Sequence, residues 1–223
     1  MQAISDIIKI LDKYGMVFLQ GLGGTLWISL VTVIFGTLLG TLIALMKLSR
    51  VKILQCIVDI YVEIIRGTPV LLQLYFFWIG LPRLLPMLTL TDTECVVVAL
   101  IFNASAYIAE VIRAGIQAVD PGQTEAAKSL GMSDSHTMTR IVLPQAVKNI
   151  LPALCNEFIT MIKQTSLASV FFVNELTTSF KVVQSATFLA IPPLIISGII
   201  YLFLNWSLSR LIGLLERRLH NND

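Results

Sequence analysis

The sequence is organised around one polar stretch, Asp120-Pro-Gly-Gln-Thr-Glu-Ala-Ala-Lys-Ser-Leu-Gly131. Asp120 is a good N-cap residue, and Pro121 suits the first helical turn because the backbone N–H that it lacks would have no partner there. Glu125 lies early in the predicted helix, where the positive end of the helix dipole favours an acid. Gly131 suits the left-handed position that ends a helix. The stretch therefore predicts a short, solvent-facing helix that stops at a glycine corner.

A second motif, Ile141-Val-Leu-Pro144, follows this corner. Either Ser133 or Asp134 can cap a second short helix, which we expect to end near Pro144 because proline disrupts a helix interior. An ordinary helix–turn–helix loop is the alternative, since Glu-Ala-Ala alone is a common tripeptide. Together the two motifs predict a compact polar unit of two short helices.

The composition is that of an integral membrane protein. Of the 223 residues, 56% are hydrophobic and 13% are charged, and the mean hydropathy is +0.81. Soluble proteins carry about 25% charged residues, roughly twice this share. The net charge of +2 is too small to indicate a nucleic-acid partner. The three cysteines (Cys56, Cys95 and Cys155) lack the spacing of metal ligands.

The apolar runs predict five membrane spans, since a spanning helix needs about 20 apolar residues to cross about 30 Å of hydrocarbon. The predicted spans are residues 19–46, 54–81 and 95–117, a fourth from about 152 to a looser region at 179–185, and a fifth at 188–212. The first 13 residues have an amphipathic pattern and are predicted to form a short interfacial helix. The predicted fold class is therefore all-α, a polytopic membrane protein with about five transmembrane helices.

Two local patterns concern how these spans are shaped. Gly36-Thr-Leu-Leu-Gly40 places two glycines four apart, as at close helix contacts, although the pattern also occurs by chance. In the second span Glu63 and Arg66 share a helix face and can pair. The following Gly67-Thr-Pro69 predicts a kink in this span.

The distribution of Lys and Arg predicts the orientation. The connections 47–52, 113–148 and 210–218 carry ten of the 16 basic residues, against four on the opposite side. Because basic loops remain cytoplasmic, we expect an extracytoplasmic amphipathic segment at 1–20, a transmembrane domain at 21–214 with a cytoplasmic loop at 118–148, and a cytoplasmic tail at 215–223. The expected location is the bacterial inner membrane, with the N-terminus outside and the C-terminus in the cytoplasm.

The motifs of hydrolytic enzymes are absent from the sequence. No Gly-x-x-x-x-Gly-Lys-Ser/Thr loop is present, so any ATP must be hydrolysed by another polypeptide. His136 and His220 both lie in predicted cytoplasmic segments, so a Ser–His pair cannot form at membrane depth, and there is no His-Glu-x-x-His zinc motif. The chain is therefore not expected to be an intramembrane enzyme.

The fourth span carries the best candidates for a binding site. Asn156, Thr160, Lys163 and Leu167 share one helical stripe, and Glu157, Met161 and Gln164 share the adjacent one. Polar groups at membrane depth usually face a bundle interior or a water-filled path. A face of mixed sign suits an amino acid zwitterion, although a structural ion pair or a lysine reaching the interface would explain it too.

The hypothesis assigns one role to each polar residue of this face. Lys163 would bind the α-carboxylate, Glu157 and Asn156 would receive the ammonium group, and Gln164 would contact a polar side chain. Arg66 is expected to pair with Glu63, or else to line the cavity.

Together with the spacing of the two opening motifs, four further stretches resemble the polar amino acid branch of the permease subunits of ATP-binding-cassette importers. They are Gly21-Leu-Gly-Gly-Thr-Leu26, Glu63-Ile-Ile-Arg-Gly-Thr-Pro69, Ala106-Tyr-Ile-Ala-Glu-Val-Ile-Arg-Ala-Gly115 and Lys163-Gln-Thr-Ser-Leu167. The resemblance covers the chain from residue 21 onward. It implies a type I importer permease in which residues 118–148, hereafter the coupling segment, dock on the ATPase through Glu125, Ala126, Ala127 and Gly131.

The resemblance also implies the partners. These are a second permease subunit, identical or homologous, two ATPase subunits that hold ATP and magnesium, an extracytoplasmic binding protein and the membrane lipid, with no cofactor on this chain. Gln164 departs from the pattern, because many relatives that carry cationic amino acids have an acid there, which weakens the case for arginine or lysine as cargo.

We therefore expect an importer permease for a polar amino acid. The runner-up is the same architecture carrying an opine or a sulfur-containing amino acid. An ATP-independent channel or secondary transporter is less favoured, because five spans are few for paired repeats and such a protein needs no docking segment.

Overall fold

The computed structural model describes residues 2–87 and 89–220, and all the regular secondary structure in them is helical. The helices are α1 (Gln2–Leu48), α2 (Lys52–Gly67), α3 (Val70–Leu84), α4 (Asp92–Gln117), α5 (Pro121–Ser129), α6 (Asp134–Thr137), α7 (Leu143–Gln164), α8 (Leu176–Thr187) and α9 (Ile191–His220). A π-helical turn at Met138–Val142 joins α6 to α7, and a 3-10 helix at Thr165–Phe171 follows α7.

Helix α1 continues without a break through the region predicted to be a separate interfacial helix. Its N-terminal part is held by tertiary packing, because Ile10 and Phe18 are buried against Leu176, Val183 and Ile196 of α8 and α9. No proline interrupts the backbone hydrogen bonds between this part and the first span. The prediction of a separate short helix at 1–13 is therefore wrong.

Helices α1 and α4 form the centre of the fold and approach each other closely at Gly36 and Gly40. A Cβ atom at Gly36 would lie 2.9 Å from the Cβ of Ala104, and one at Gly40 would lie 2.9 Å from the carbonyl oxygen of Ser105. Neither distance leaves room for a side chain, so the two glycines form the predicted contact face.

The second predicted span is broken into α2 and α3, which meet at an angle of 109°. This confirms the predicted kink at Gly67–Pro69. The Gln73 side-chain amide closes the corner by donating to the carbonyl oxygens of Ile65 (2.7 Å) and Thr68 (3.1 Å). Asn103 of α4 donates in turn to Gln73 Oε1 at 2.9 Å, so the corner is anchored on the middle of α4.

Two predicted helix ends differ from the structure. The second span, predicted to end at residue 81, continues to Leu84, and Pro82 lies inside α3, where so near the end of the helix it removes only one backbone hydrogen bond. The second helix of the coupling segment does not end at Pro144. The π-helical turn continues directly into α7, and Pro144 lies in the first turn of α7, where its missing N–H falls at the change of bonding pattern.

The protein is an all-α membrane protein. Within the described residues, three helices are long and apolar enough to cross a membrane, and the bent α2–α3 pair makes up to four. These are Ile4–Leu48, Asp92–Gln117 and Ile191–Leu214, with Lys52–Gly67 and Val70–Leu84 as the pair. Helix α7, the predicted fourth span, is not among them, since charged and polar side chains such as Lys148, Asn149, Asn156 and Glu157 lower its hydropathy.

Candidate functional site

The first helix of the coupling segment has the local structure that its sequence predicts. Asp120 caps α5 by accepting a hydrogen bond from the Gly122 N–H at 2.8 Å, and Pro121 occupies the first turn. The helix ends with Gly131 at φ +83°, where Gly131 N donates to the Lys128 carbonyl and Met132 N donates to the Ala127 carbonyl. This pair of bonds is the Schellman motif, which turns the chain sharply toward α6.

The residues predicted to dock on an ATPase differ in exposure. Glu125, Ala126 and Gly131 are exposed, whereas Ala127 is buried. The neighbouring Leu130 is 84% exposed, an apolar side chain at the tip of a polar segment. Glu125, Ala126 and Gly131 are therefore accessible to a partner, while Ala127 packs inside the segment and supports its shape.

An ion pair between Arg50 and Asp134 joins the coupling segment to the connection between α1 and α2, and a second pair, between Lys128 and Asp134, lies within the segment. The Asp134 carboxylate lies 2.8 Å from Arg50 Nη2 and 3.0 Å from Lys128 Nζ. The hydrogen bond and charge of Lys128, assisted by the charge of Arg50, lower the pKa of Asp134. The Arg50–Asp134 pair therefore links the coupling segment to the connection that leads into the broken span.

The α7 face (Asn156, Glu157, Lys163 and Gln164) presents its polar groups in two directions. The side chains of Asn156 and Lys163 are exposed, and those of Glu157 and Gln164 are half-buried. Between the latter two, Met161 is fully buried against Ala104 and Ile108 of α4. Gln164 Oε1 is buried and has no hydrogen-bond partner in the described part of the chain. The face thus combines the exposed ammonium group of Lys163 with the unpaired hydrogen-bond acceptor of Gln164.

Lys181 of α8 is half-buried. Its ammonium group donates to the carbonyl oxygen of Ser169 at 3.1 Å. This contact forms because the 3-10 helix at Thr165–Phe171 lies beside α8, an arrangement that the sequence pattern does not reveal.

The predicted pair between Glu63 and Arg66 is wrong. Arg66 Nη1 lies 3.7 Å from Glu110 Oε2, and its guanidinium is 5.4 Å from the centre of the Tyr107 ring. Both partners belong to α4, so packing of α2 on α4 draws Arg66 away from its own helix.

Glu110 is the centre of an ion-pair network that sequence reasoning did not identify. The Glu110 carboxylate forms ion pairs with Lys47 at 2.9 Å and with Arg113 at 2.8 Å, and Lys47 also forms an ion pair with Asp59 at 3.1 Å. The three-residue spacing of Glu110 and Arg113 was the available signal for one of these contacts. The contact with Lys47, 63 residues away in sequence, depends on the packing of α1 on α4.

Comparison with known proteins identifies relatives that match most of the chain. The family described as "Binding-protein-dependent transport system inner membrane component" matches residues 36–221. The arginine transport system permease protein ArtQ of Bacillus subtilis (strain 168) is 40% identical over 205 residues, which are 92% of this chain and 93% of that protein. The probable glutamine ABC transporter permease protein GlnM of the same organism is 37% identical over 211 residues, 95% of this chain and 96% of that protein.

A solved structure has the same fold. The crystal structure of an amino acid ABC transporter with histidines matches with a TM-score of 0.90 and 45% identity, covering 93% of this chain and 96% of that one. Membership of this family implies an ATPase and a binding protein as partners, and it makes this chain the transport component rather than the catalytic one. The chain therefore belongs to the inner-membrane components of binding-protein-dependent transport systems, as the multi-pass permease subunit of a bacterial amino acid ABC transporter.

Proposed function

We propose that this subunit moves a polar amino acid with an uncharged or weakly charged side chain into the cytoplasm. The observation that carries the proposal is the α7 face, where the exposed Lys163 lies next to the buried, unpartnered Gln164 Oε1. A cation without an ion-pair partner in the described chain is costly at membrane depth unless it faces water or an anionic ligand. The α-carboxylate of an amino acid supplies that anion.

The remaining groups of the face suit the rest of the head group. Glu157 and Asn156 lie about two helical turns from Lys163 and can receive the ammonium group. The two charges of a zwitterion would then be matched by two charges of the protein. Arg66 is engaged by α4 and is assigned no part in this contact.

Gln164 supports a side chain that donates a hydrogen bond. Its buried acceptor is unsatisfied, and a buried polar atom without a partner costs about 1–3 kcal/mol. The amide N–H of glutamine or the ring N–H of histidine would satisfy it. A guanidinium would also donate, but Gln164 offers no charge to balance it. Relatives are named for both arginine and glutamine transport, so the family covers both kinds of cargo. An opine or a sulfur-containing amino acid remains the alternative cargo.

The substitution Gln164→Glu tests this assignment. A carboxylate at this position should favour a cationic side chain, so the ratio of arginine uptake to glutamine uptake should rise at least about tenfold, which corresponds to about 1.4 kcal/mol. The measurement is uptake of radiolabelled l-arginine and l-glutamine by proteoliposomes that contain the whole transporter. Gln145→Glu is the matched control, since Gln145 lies exposed on the same helix. An unchanged ratio in Gln164→Glu would exclude Gln164 from the side-chain contact.

The proposed topology has five spans, and α7 is one of them. The polar residues of the α7 face make this span too polar to be recognised by composition. The N-terminus is outside and the C-terminus is in the cytoplasm, which agrees with the ten basic residues of the connections 47–52, 113–148 and 210–218. The proposed assembly has two permease subunits, two ATPase subunits that hold ATP and magnesium, and an extracytoplasmic binding protein.

Cysteine labelling tests the topology. In a background in which the exposed Cys56 and half-buried Cys155 are replaced by alanine, a cysteine at Gly122 should react with a membrane-impermeant maleimide only in inverted vesicles. A cysteine at Met87, which is 96% exposed, should react in intact cells. Positions 88 and 221, expected outside and inside respectively, lie beyond the described residues. Labelling of position 122 from outside intact cells would contradict the topology and the docking role together.

A further inference from the structure

A charged cleft opens between α1, α2 and α4 and is separate from the α7 face. Its volume is about 480 Å³, enough for a small amino acid, and it is lined by Lys47, Asp59, Val62, Glu63, Arg66, Gly67 and Glu110. We call it the elbow cleft, because Gly67 belongs to the corner where α2 and α3 meet. Substrate sites of transporters are commonly built at such discontinuous helices.

Most charges of the elbow cleft already satisfy one another. The two carboxylate oxygens of Glu110 accept hydrogen bonds from Lys47 at 2.9 Å and from the Arg113 side chain at 2.8 and 3.2 Å. Lys47 also contacts Asp59 at 3.1 Å. Lys47 and Arg113 therefore neutralise Asp59 and Glu110, and these four charges leave no net demand for a ligand.

Arg66, which has one long ion pair, and Glu63 are the two charges of the cleft that are least engaged. The contact of Arg66 with Glu110 is long, 3.7 Å, and involves one guanidinium nitrogen, so most of its five N–H donors are available. Stacking on Tyr107 orients the guanidinium without using those donors. Glu63 is exposed and has no ion-pair partner in the part of the chain that the structure describes. One helix thus offers a cation and an anion one turn apart.

Helix α4 gives the depth of the elbow cleft relative to the α7 face. Met161 packs on Ala104 and Ile108, whereas Glu110 lies two residues beyond Ile108 and six beyond Ala104 toward the coupling segment. These spacings correspond to about 3–9 Å along a helix axis. With the proposed topology, the Glu110 end of the elbow cleft therefore lies closer to the cytoplasm than Met161 and Lys163.

We propose that the elbow cleft is a second amino acid site, on the cytoplasmic side, that binds the zwitterionic head group of the cargo. Arg66 binds the α-carboxylate through its free donors, and Glu63 accepts from the ammonium group. The site makes no specific contact with the side chain of the cargo. It therefore accepts small amino acids of different kinds, as a release site would. This inference rests on the proposed function for its orientation and its cargo.

Protection of a cysteine from labelling tests this site in the intact complex. Gly67 lines the cleft, and a Cβ atom added to it would have no neighbour within 4 Å, so Gly67→Cys should fold normally. Cys56 and Cys155 are replaced by alanine, and the buried Cys95 is kept. We expect millimolar l-glutamine or glycine to slow the maleimide reaction of Gly67→Cys at least threefold. Glutaminamide, which lacks the carboxylate, should not protect.

Two added substitutions identify the groups responsible. Arg66→Met should abolish protection, and so should Glu63→Gln, which disturbs no ion pair of the described chain. Lys163→Met should leave protection intact even where uptake fails. Protection therefore tests the elbow cleft separately from the α7 face, which is tested by uptake. Absence of protection in Gly67→Cys itself, or protection that survives both Arg66→Met and Glu63→Gln, would overturn the proposal.

Discussion

Lys163→Met is expected to lower amino acid uptake about ten- to a hundredfold while the complex still assembles and hydrolyses ATP at its basal rate. The substitution keeps the length and apolar volume of the side chain and removes its charge. A charge-assisted hydrogen bond to the cargo carboxylate is worth about 1.5–3 kcal/mol, and each 1.4 kcal/mol is about a tenfold change. The side chain is exposed and makes no ion pair within the described chain, so its loss should not unfold α7. Uptake of radiolabelled l-glutamine by proteoliposomes gives the rate.

The control for this substitution must be a lysine without a contact. Lys181 is unsuitable, because it donates to the Ser169 carbonyl. Lys52 is exposed at the start of α2, and Lys52→Met should transport at close to the wild-type rate. If Lys163→Met transports as fast as wild type at every cargo concentration, the lysine is structural. The carboxylate would then have to be bound elsewhere, first of all by Arg66 in the elbow cleft.

Gly131→Val is expected to abolish cargo-stimulated ATP hydrolysis while membrane insertion is retained. Gly131 has φ +83°, which a β-branched residue adopts only with strain of about 1–3 kcal/mol. There is open space around this position, so the effect comes from the backbone and not from a clash. The strain would open the Schellman turn that holds Met132 N on the Ala127 carbonyl. The exposed surface of Glu125, Ala126 and Leu130 would then lose the shape that a partner recognises.

Gly131→Asn separates this explanation from a general loss of the complex. Asparagine adopts left-handed backbone conformations far more readily than valine, so Gly131→Asn should keep most of the stimulated hydrolysis. The assay is ATP hydrolysis by the reconstituted transporter with and without its loaded binding protein. Equal, wild-type stimulation in both variants would show that this corner does not transmit the power stroke.

Short-range features of this protein were predictable from the sequence. The Asp120 cap, the Gly131 corner and the break at Gly67–Pro69 each depend on residues within about one helical turn, where backbone hydrogen bonding and allowed φ values decide the outcome. The contact face of Gly36 and Gly40 was predictable as a pattern, because only glycine permits so close an approach, but its partner on α4 was not.

Contacts between distant segments were decided by the tertiary structure. Glu110 and Lys47 lie 63 residues apart, and they meet because α1 packs along α4. The same packing directs Arg66 to Glu110 and Tyr107 instead of Glu63, since a carboxylate and an aromatic ring on a neighbouring helix compete successfully with a weak pair on one helix. The buried acceptor of Gln164 is likewise a consequence of the packing around α7. Helical spacing determines which side chains share a face, whereas only the arrangement of the helices determines what each face meets.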